Sequence, residues 1–400
     1  MGQRLKLIEI DKRVQTKVDR SITTDTNRGI VKFGEDNDYP QKMERLILSS
    51  NDARAIANIY AKFLVGKGFE NEAINKVVVG KDARGKKITL LSLLRQFADS
   101  ASFNNGGYIH VNKNIDNQTG AAKLIPFKYC RFSEPDTQGF SGKIGVYENW
   151  EKDKDAKFDK SKVRFYDIFS ENKEVFLEQI AKVGALEKHK GQIYFQFFDN
   201  NYLYPLSPFD PVYLDCDTQA QISIFKNNQI RNGFTDKVIF RVAGDEDAVD
   251  TLTEGITKMM GADGDNAVII EDVIDPATNK INKEAQVVVE SVKTNINDKL
   301  FETWEKSLTN NIRKSNKALP AVLIDYEESK LGTTSGEGIT QAMNFYNAMT
   351  ADDRSLISEM FKEIFSNSMF PELQANQNWN IKPLSIEAYA TNNPTTAAAV

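Results

Sequence analysis

Residues 205–244 read PLSPFDPVYLDCDTQAQISIFKNNQIRNGFTDKVIFRVAG, and the rest of the chain is divided around this stretch. Pro205 and Pro208 cannot sit inside a helix, because each lacks an N–H and clashes with the preceding turn. They predict a helix that starts near 211 and runs to about 232. Asn232-Gly233 closes it, since these residues enter the left-handed region cheaply. Lys237 to Val242 then reads as a short strand.

Downstream, Asp245, Glu246 and Asp247 place negative charge where a helix N-terminus favours it, predicting a helix over 245–260 that ends at Gly261. Strands are expected at Ala267 to Glu271 and Gln286 to Val292. Leu300, Phe301, Trp304, Leu308 and Ile312 recur at three- and four-residue steps, predicting a helix over 297–315 that stops before Pro320. A glycine-rich loop, Gly332 to Gly338, precedes a long helical stretch over 337–367 with a local break at Thr350. From Pro371 the chain turns polar and is expected to fray.

Upstream, residues 1–34 read as a polar arm, with Thr23, Thr24, Asp25, Thr26 and Asn27 in a row. Tyr39-Pro40 opens an amphipathic helical pair (Met43, Leu46, Ile47, then Ala53, Ile56, Ala57, Tyr60, Ala61, Leu64) that Gly66 and Gly68 stop. A helix over 88–102 ends at Asn104-Asn105-Gly106-Gly107. Strands follow at Tyr108 to Val111, Leu124 to Arg131, Lys143 to Asn149, Val163 to Ile168 and Ile193 to Phe198. The fold class expected is α+β.

The chain has 400 residues, 40% apolar and 27% charged, with a net charge of -5. That composition supports two or three subdomains and argues against gripping nucleic acid by neutralising phosphates. No run of apolar residues is long enough to cross a bilayer, so neither a membrane span nor secretion is expected. Between 245 and 275 ten acids (Asp245, Glu246, Asp247, Asp250, Glu254, Asp263, Asp265, Glu271, Asp272, Asp275) face one base, Lys258. Residues 276–317 carry eight bases and five acids, so the acidic block is a local feature.

Catalytic chemistry finds little support. Gly80-Lys-Asp-Ala-Arg-Gly85-Lys86-Lys87 sits between an apolar run and a helix, the setting of a phosphate-cradling loop, but Lys87 stands where a magnesium-binding hydroxyl is required. His110 and His189 lack metal-ligand spacing. Asp215-Cys216-Asp217 and Asp263-Gly264-Asp265 do not fit a calcium loop. Cys130 and Cys216 are far apart in sequence and suggest neither a disulfide nor a thiolate site. No enzyme activity, metal or cofactor is expected.

From 205 onward the order is a proline-bounded segment, a long helix ending in Asn232-Gly233-Phe234, a strand, a helix, two strands and a helix running into Lys317-Ala-Leu-Pro320. Together with Asn37-Asp-Tyr-Pro40, Leu64-Val-Gly-Lys-Gly-Phe69 and Asn105-Gly-Gly-Tyr108-Ile, it resembles the portal proteins of tailed bacteriophages. The resemblance spans about 35–368.

It implies a wing (35–244), stem helices (245–260 and 297–317), a small β-containing clip (261–296) and a tunnel loop with a long wing helix (318–370), followed by a short tail (371–400). It also implies a dodecameric ring at one capsid vertex of the virion, assembled in the host cytoplasm. Double-stranded DNA would pass through without sequence specificity. Terminase large subunit, major capsid protein and a head–tail adaptor would dock, and no membrane is involved. Candidate channel-lining residues are Asp245, Glu246, Asp247, Asp250, Glu254 and Lys258. Tunnel-loop candidates are Glu328, Ser329, Lys330, Gly332, Thr334 and Gly336, and clip contacts are Val268, Ile270, Val287 and Val289. The rival expectations are another virion connector component, or an enzyme built around Gly80 to Lys87.

Overall fold

The computed structural model describes residues 18–150, 160–199, 203–231, 237–241, 274–275, 280–281, 288–292, 298–324, 336–374 and 377–385. The chain divides into two compact units. Unit 1 is Met1–Leu48, Ala53–Tyr213 and Arg313–Val400, and unit 2 is Ser49–Asp52 and Leu214–Ile312. Helices and sheets are mixed along the chain, as α+β requires.

Unit 1 opens with a hairpin, β1 (Ile22–Asp25) against β2 (Ile30–Phe33). The expected arm is therefore shorter than 34 residues. Ile30, Val31 and Phe33 are buried, and the Phe33 ring stacks on Tyr39 at 4.2 Å and Tyr204 at 4.7 Å. The polar run 23–27 concealed this, because it is only the outer strand and turn of a hairpin whose second strand is apolar. Helices α1 (Tyr39–Ser49) and α2 (Asn51–Val65) form the expected pair. A short α3 (Glu72–Asn75) and a hairpin, β3 (Val78–Lys81) with β4 (Lys87–Thr89), lead into α4 (Leu90–Asn104). Thr89 caps α4 by accepting from the Ser92 N–H at 3.2 Å, and Asn105 ends it in the left-handed conformation, φ 54°.

The central sheet comprises β5 (Gly106–Lys113), β6 (Thr119–Ile125), β7 (Cys130–Phe132), β8 (Lys143–Val146), β9 (Arg164–Ile168) and β10 (Gln192–Phe197), in the order β6-β5-β10-β9-β8-β7. All neighbours are antiparallel except β9 and β10. The outermost strands, β6 and β7, are joined by only residues 126–129, which span roughly 13 Å at full stretch. The sheet must therefore curl until its edges approach. Pro126 breaks what reads in sequence as one strand, Leu124 to Arg131, because it cannot donate to a ladder. Helix α5 (Lys173–Val183), absent from the sequence reading, buries only Phe176 and Ile180. Two inward positions leave too thin a stripe to stand out as a helical period.

Helix α6 (Tyr213–Arg231) carries the chain into unit 2. There β11 (Lys237–Arg241) pairs antiparallel with β14 (Val288–Val292), and β12 (Ile274–Asp275) with β13 (Lys280–Ile281). Helix α7 (Asp298–Ser315) returns. The final helical stretch is two helices, α8 (Gly336–Met349) and α9 (Ala351–Phe365), parted at the expected Thr350. Arg354 reaches back across the break, bonding Thr350 Oγ1 at 2.6 Å and the Asn347 carbonyl at 2.6 Å. Carbonyls left over by a broken helix are satisfied in this way.

Part of the expected frayed tail is packed. Lys67 N–H donates to Lys382 O and Lys382 N–H to Gly68 O, both at 2.9 Å. Trp379 is buried, 5.7 Å from Phe69 and stacked on Phe365 at 6.3 Å. Gly66 is required here, since a Cβ would lie 2.1 Å from Lys382 O.

Candidate ring and channel elements

In unit 2 the two long helices run antiparallel, because contacts advance along one as they retreat along the other. Asp215 meets Asn311 at 3.3 Å, Phe225 stacks with Phe301 at 5.7 Å, and Lys226 pairs with Glu305 at 2.5 Å. Asp52 ties them from the side, accepting from Gln219 Nε2 at 2.7 Å and Thr309 Oγ1 at 2.5 Å. Cys216 is buried in this unit, and desolvation pushes its thiol up to about 12, so it stays protonated and inert. The described partner of α7 is therefore α6. The segment 245–260, expected as a stem helix, lies outside the described residues.

Strand pairing closes the segment between β11 and β14. Arg241 of β11 is opposite Val288 of β14, so the two ends of 242–287 are held about 5 Å apart. That closed excursion contains eleven acids and three bases. Asp245, Glu246, Asp247, Asp250, Glu254 and Lys258 fall within it and outside the described residues. So do Val268, Ile270 and Val287. Val289 is in β14 and pairs with Phe240 of the same chain, which leaves only the outer edges of this ribbon for another copy.

The return into unit 1 is held by buried polar groups. Lys317 and Ala318 both have positive φ, 50° and 53°, a strained pair for residues with a Cβ. Asp353 on α9 accepts from Lys317 Nζ at 2.8 Å and from Tyr60 Oη at 2.7 Å. Tyr346 on α8 donates to Asn316 Oδ1 at 2.8 Å. Burial and the neighbouring carboxylate raise both tyrosine hydroxyls far above their ordinary range, so both remain donors. The network ties residues just before 325–335 to the helices just after it. Glu328, Ser329, Lys330, Gly332 and Thr334 lie outside the described residues, and Gly336 is the first residue of α8.

The phosphate-loop candidate is a hairpin turn. Asp82 Oδ1 accepts from the N–H groups of Arg84 and Lys86, both at 2.9 Å. Those donors are spent on a side chain of the same turn, so they do not form a cradle for phosphate. His110 contacts the Lys190 carbonyl at 2.7 Å, and burial lowers its pKa. His189 lies 3.4 Å from Asp167. His110 is a buried residue of β5, and His189, just before β10, packs edge-on against Phe176 of α5 at 5.4 Å. Among the described residues no cluster of His, Cys, Asp and Glu could hold a metal ion, and no helix is long and apolar enough to cross a membrane.

Sequence reasoning missed Arg131, the largest fully buried charged side chain among the described residues. Fully enclosed, it donates to Asn37 Oδ1 at 2.5 Å, Asn37 O at 2.7 Å, Cys130 O at 2.8 Å and Lys128 O at 3.2 Å. Asn37-Asp-Tyr-Pro40 is one of the strings that carry the resemblance, and this bond set is a physical reason for Asn37 there.

No family model matches the chain, and no curated protein matches it. Among solved structures, it is similar to the neck of an empty gene transfer agent particle computed with C6 symmetry (TM-score 0.48, 11% identity, 84% of this chain and 83% of that one). The neck of a native particle computed with C12 symmetry gives 0.47 and 10%, with 84% and 83% covered. An HK97-family phage portal protein from Corynebacterium diphtheriae gives 0.36 and 10%, with 75% and 84% covered.

Proposed function

We propose that this chain is one subunit of a closed ring of the tailed-phage portal type, a conduit for double-stranded DNA and not an enzyme. The observation that carries this reading is the layout. A single α+β unit has one long interruption, 214–312, which holds an antiparallel helix pair leading to a strand-closed excursion of net negative charge, and is re-entered through a buried polar clasp. Because α6 is the described partner of α7, we place the stem on these two helices and the clip on 232–297.

Repeated around an axis, the acidic excursions would line a passage that repels phosphate weakly and lets a stiff duplex slide. A basic lining would hold DNA instead. The resemblance extends the proposal to a dodecameric ring at a virion vertex that docks terminase, major capsid protein and a head–tail adaptor. ATP chemistry would then belong to the motor, which accords with the Asp82-filled turn.

Replacing Asp245, Glu246, Asp247, Asp250 and Glu254 together with Lys should slow DNA packaging and retain DNA on purified rings. Rings that assemble with unchanged packaging would remove the account of the lining. A purified subunit that remains at 45.1 kDa with capsid components present would remove the ring itself.

A further inference from the structure

The β3–β4 hairpin, whose tip is filled by Asp82, builds a different arrangement at its base in unit 1. There β3 passes β6 so closely that a Cβ on Gly80 would lie 2.6 Å from the Ala122 carbonyl oxygen, an approach that glycine alone permits. It brings Lys81 alongside β6 and leaves a cleft of about 140 Å³ lined by Gly80, Lys81, His110, Asn112, Ala121 and Lys123. His110 and Lys123 are cross-strand neighbours, as are Asn112 and Ala121. The Ala121 methyl is too short to fill the space between them.

The charges of this cleft are one-sided. Two ammoniums line it and no carboxylate does, whereas the clefts that hold Lys128 and Lys113 also hold Glu44 and Glu171. Lys81 stands directly opposite Lys87 in the hairpin, and like charges in that position repel. Asp82, the acid of the hairpin, is spent on Arg84 and on the Lys86 N–H. Among the described residues neither Lys81 nor Lys123 pairs with an acid. Burial, and then the nearby Lys123 charge, lowers the pKa of His110, which sets that ammonium close to the histidine end of the cleft. Such an arrangement lacks its anion.

We propose that this cleft is a binding site for a phosphate dianion, held by the Lys81 and Lys123 ammoniums with the Asn112 side-chain amide as a further donor. Each ammonium is a point charge with three donors, suited to phosphate oxygens. A group carrying close to two negative charges offsets both lysines and relieves the Lys81–Lys87 repulsion. Free phosphate and the terminal phosphate of a monoester share this chemistry. The site does not rest on the ring, and a subunit that never closes one would bind phosphate equally.

The test is equilibrium dialysis of the full chain against radiolabelled inorganic phosphate. Saturable binding of one phosphate per subunit is expected, and its absence overturns the proposal. Lys81→Gln and Lys123→Gln should each weaken binding about fivefold, as for the loss of one partly exposed ion pair. The double variant should abolish it, while Lys182→Gln on α5 leaves it unchanged. Binding that survives in the double variant overturns the assignment to this cleft. Displacement of the label by glycerol phosphate admits a monoester as the source, and failure to displace it restricts the site to free phosphate. A DNA duplex without terminal phosphates that displaces the label as well as phosphate does would overturn the dianion in favour of a backbone diester. Hydrogen exchange gives an independent readout. Phosphate should slow exchange in 78–89 of the wild type, and equal slowing in the double variant contradicts the proposal.

Discussion

The two units bury their side chains differently. Among the described residues, the largest fully enclosed side chains, Trp150, Arg131, Tyr60, Tyr108, Tyr204, Tyr346, Phe33, Phe69, Phe97, Phe176, Phe209 and Phe361, all belong to unit 1. Among the described residues of unit 2, the buried apolar set is Cys216, Ala220, Ile222, Leu308 and Ile312, while Leu214 is 58% and Trp304 48% exposed. Isolated two-stranded ribbons are marginal alone. In the ring proposed above, neighbouring copies would complete unit 2.

The largest expected effect lies in the core of unit 1. Arg131→Ala removes a donor from Asn37 O, Asn37 Oδ1 and Cys130 O in the interior and should cost about 3–5 kcal/mol, read as a lower urea midpoint of the isolated subunit. A cost below about 1 kcal/mol would mean that the Asn37–Arg131 bonds do not organise unit 1. Asp353→Ala leaves Tyr60 Oη unpartnered in the interior and frees Lys317, and should cost about 2–3 kcal/mol. It should also raise proteolysis at the Asn316–Leu319 turn, whose strain it releases.

Lys113 adds a pH test confined to unit 1. Its ammonium bonds Asn117 Oδ1 at 3.0 Å and Ser170 O at 2.6 Å over the Phe169 ring, and desolvation lowers its pKa from 10.5 to about 8. The folded value lies below the unfolded one. Between about pH 8 and 10.5 the unfolded chain therefore holds more protons, and this group's contribution to stability rises with pH. An NMR titration of the Lys113 side chain with a midpoint near 10.5 would contradict this burial.

Unit 2 should respond weakly as an isolated subunit. Trp304→Ser should change subunit stability by no more than about 0.5 kcal/mol, as for an exposed position, yet lower the ring fraction in native mass measurements. The smallest effect is expected for Lys226→Ala, which removes a surface ion pair worth about 0–1 kcal/mol. A loss of several kcal/mol from either change would show that unit 2 is self-sufficient and would erase the contrast.

Legibility from sequence divides along similar lines. Helices α1, α2, α4 and α7 were readable from strong apolar periods, α6 only from the prolines before it and Asn232-Gly233 after it, and the break at Thr350 was readable too. The β1–β2 hairpin and the 377–385 segment were hidden, because each has polar residues around a few apolar ones that are fixed by distant partners, Tyr204 for one and Phe69 with Lys67 for the other. Helix α5 shows too few apolar positions. Of the site, the acidic block was plain as composition, but its closure by β11 and β14 depends on a pairing across 46 intervening residues that no local pattern announces. Arg131 was unreadable because a buried arginine looks like any other arginine until its acceptors are placed around it.

The most direct test of the ring is electron microscopy of the purified full chain, alone and with capsid components, scored for end-on views. The account predicts closed rings with an axial hole. Particles that remain single subunits, or that form open aggregates without an axial hole under both conditions, would contradict it.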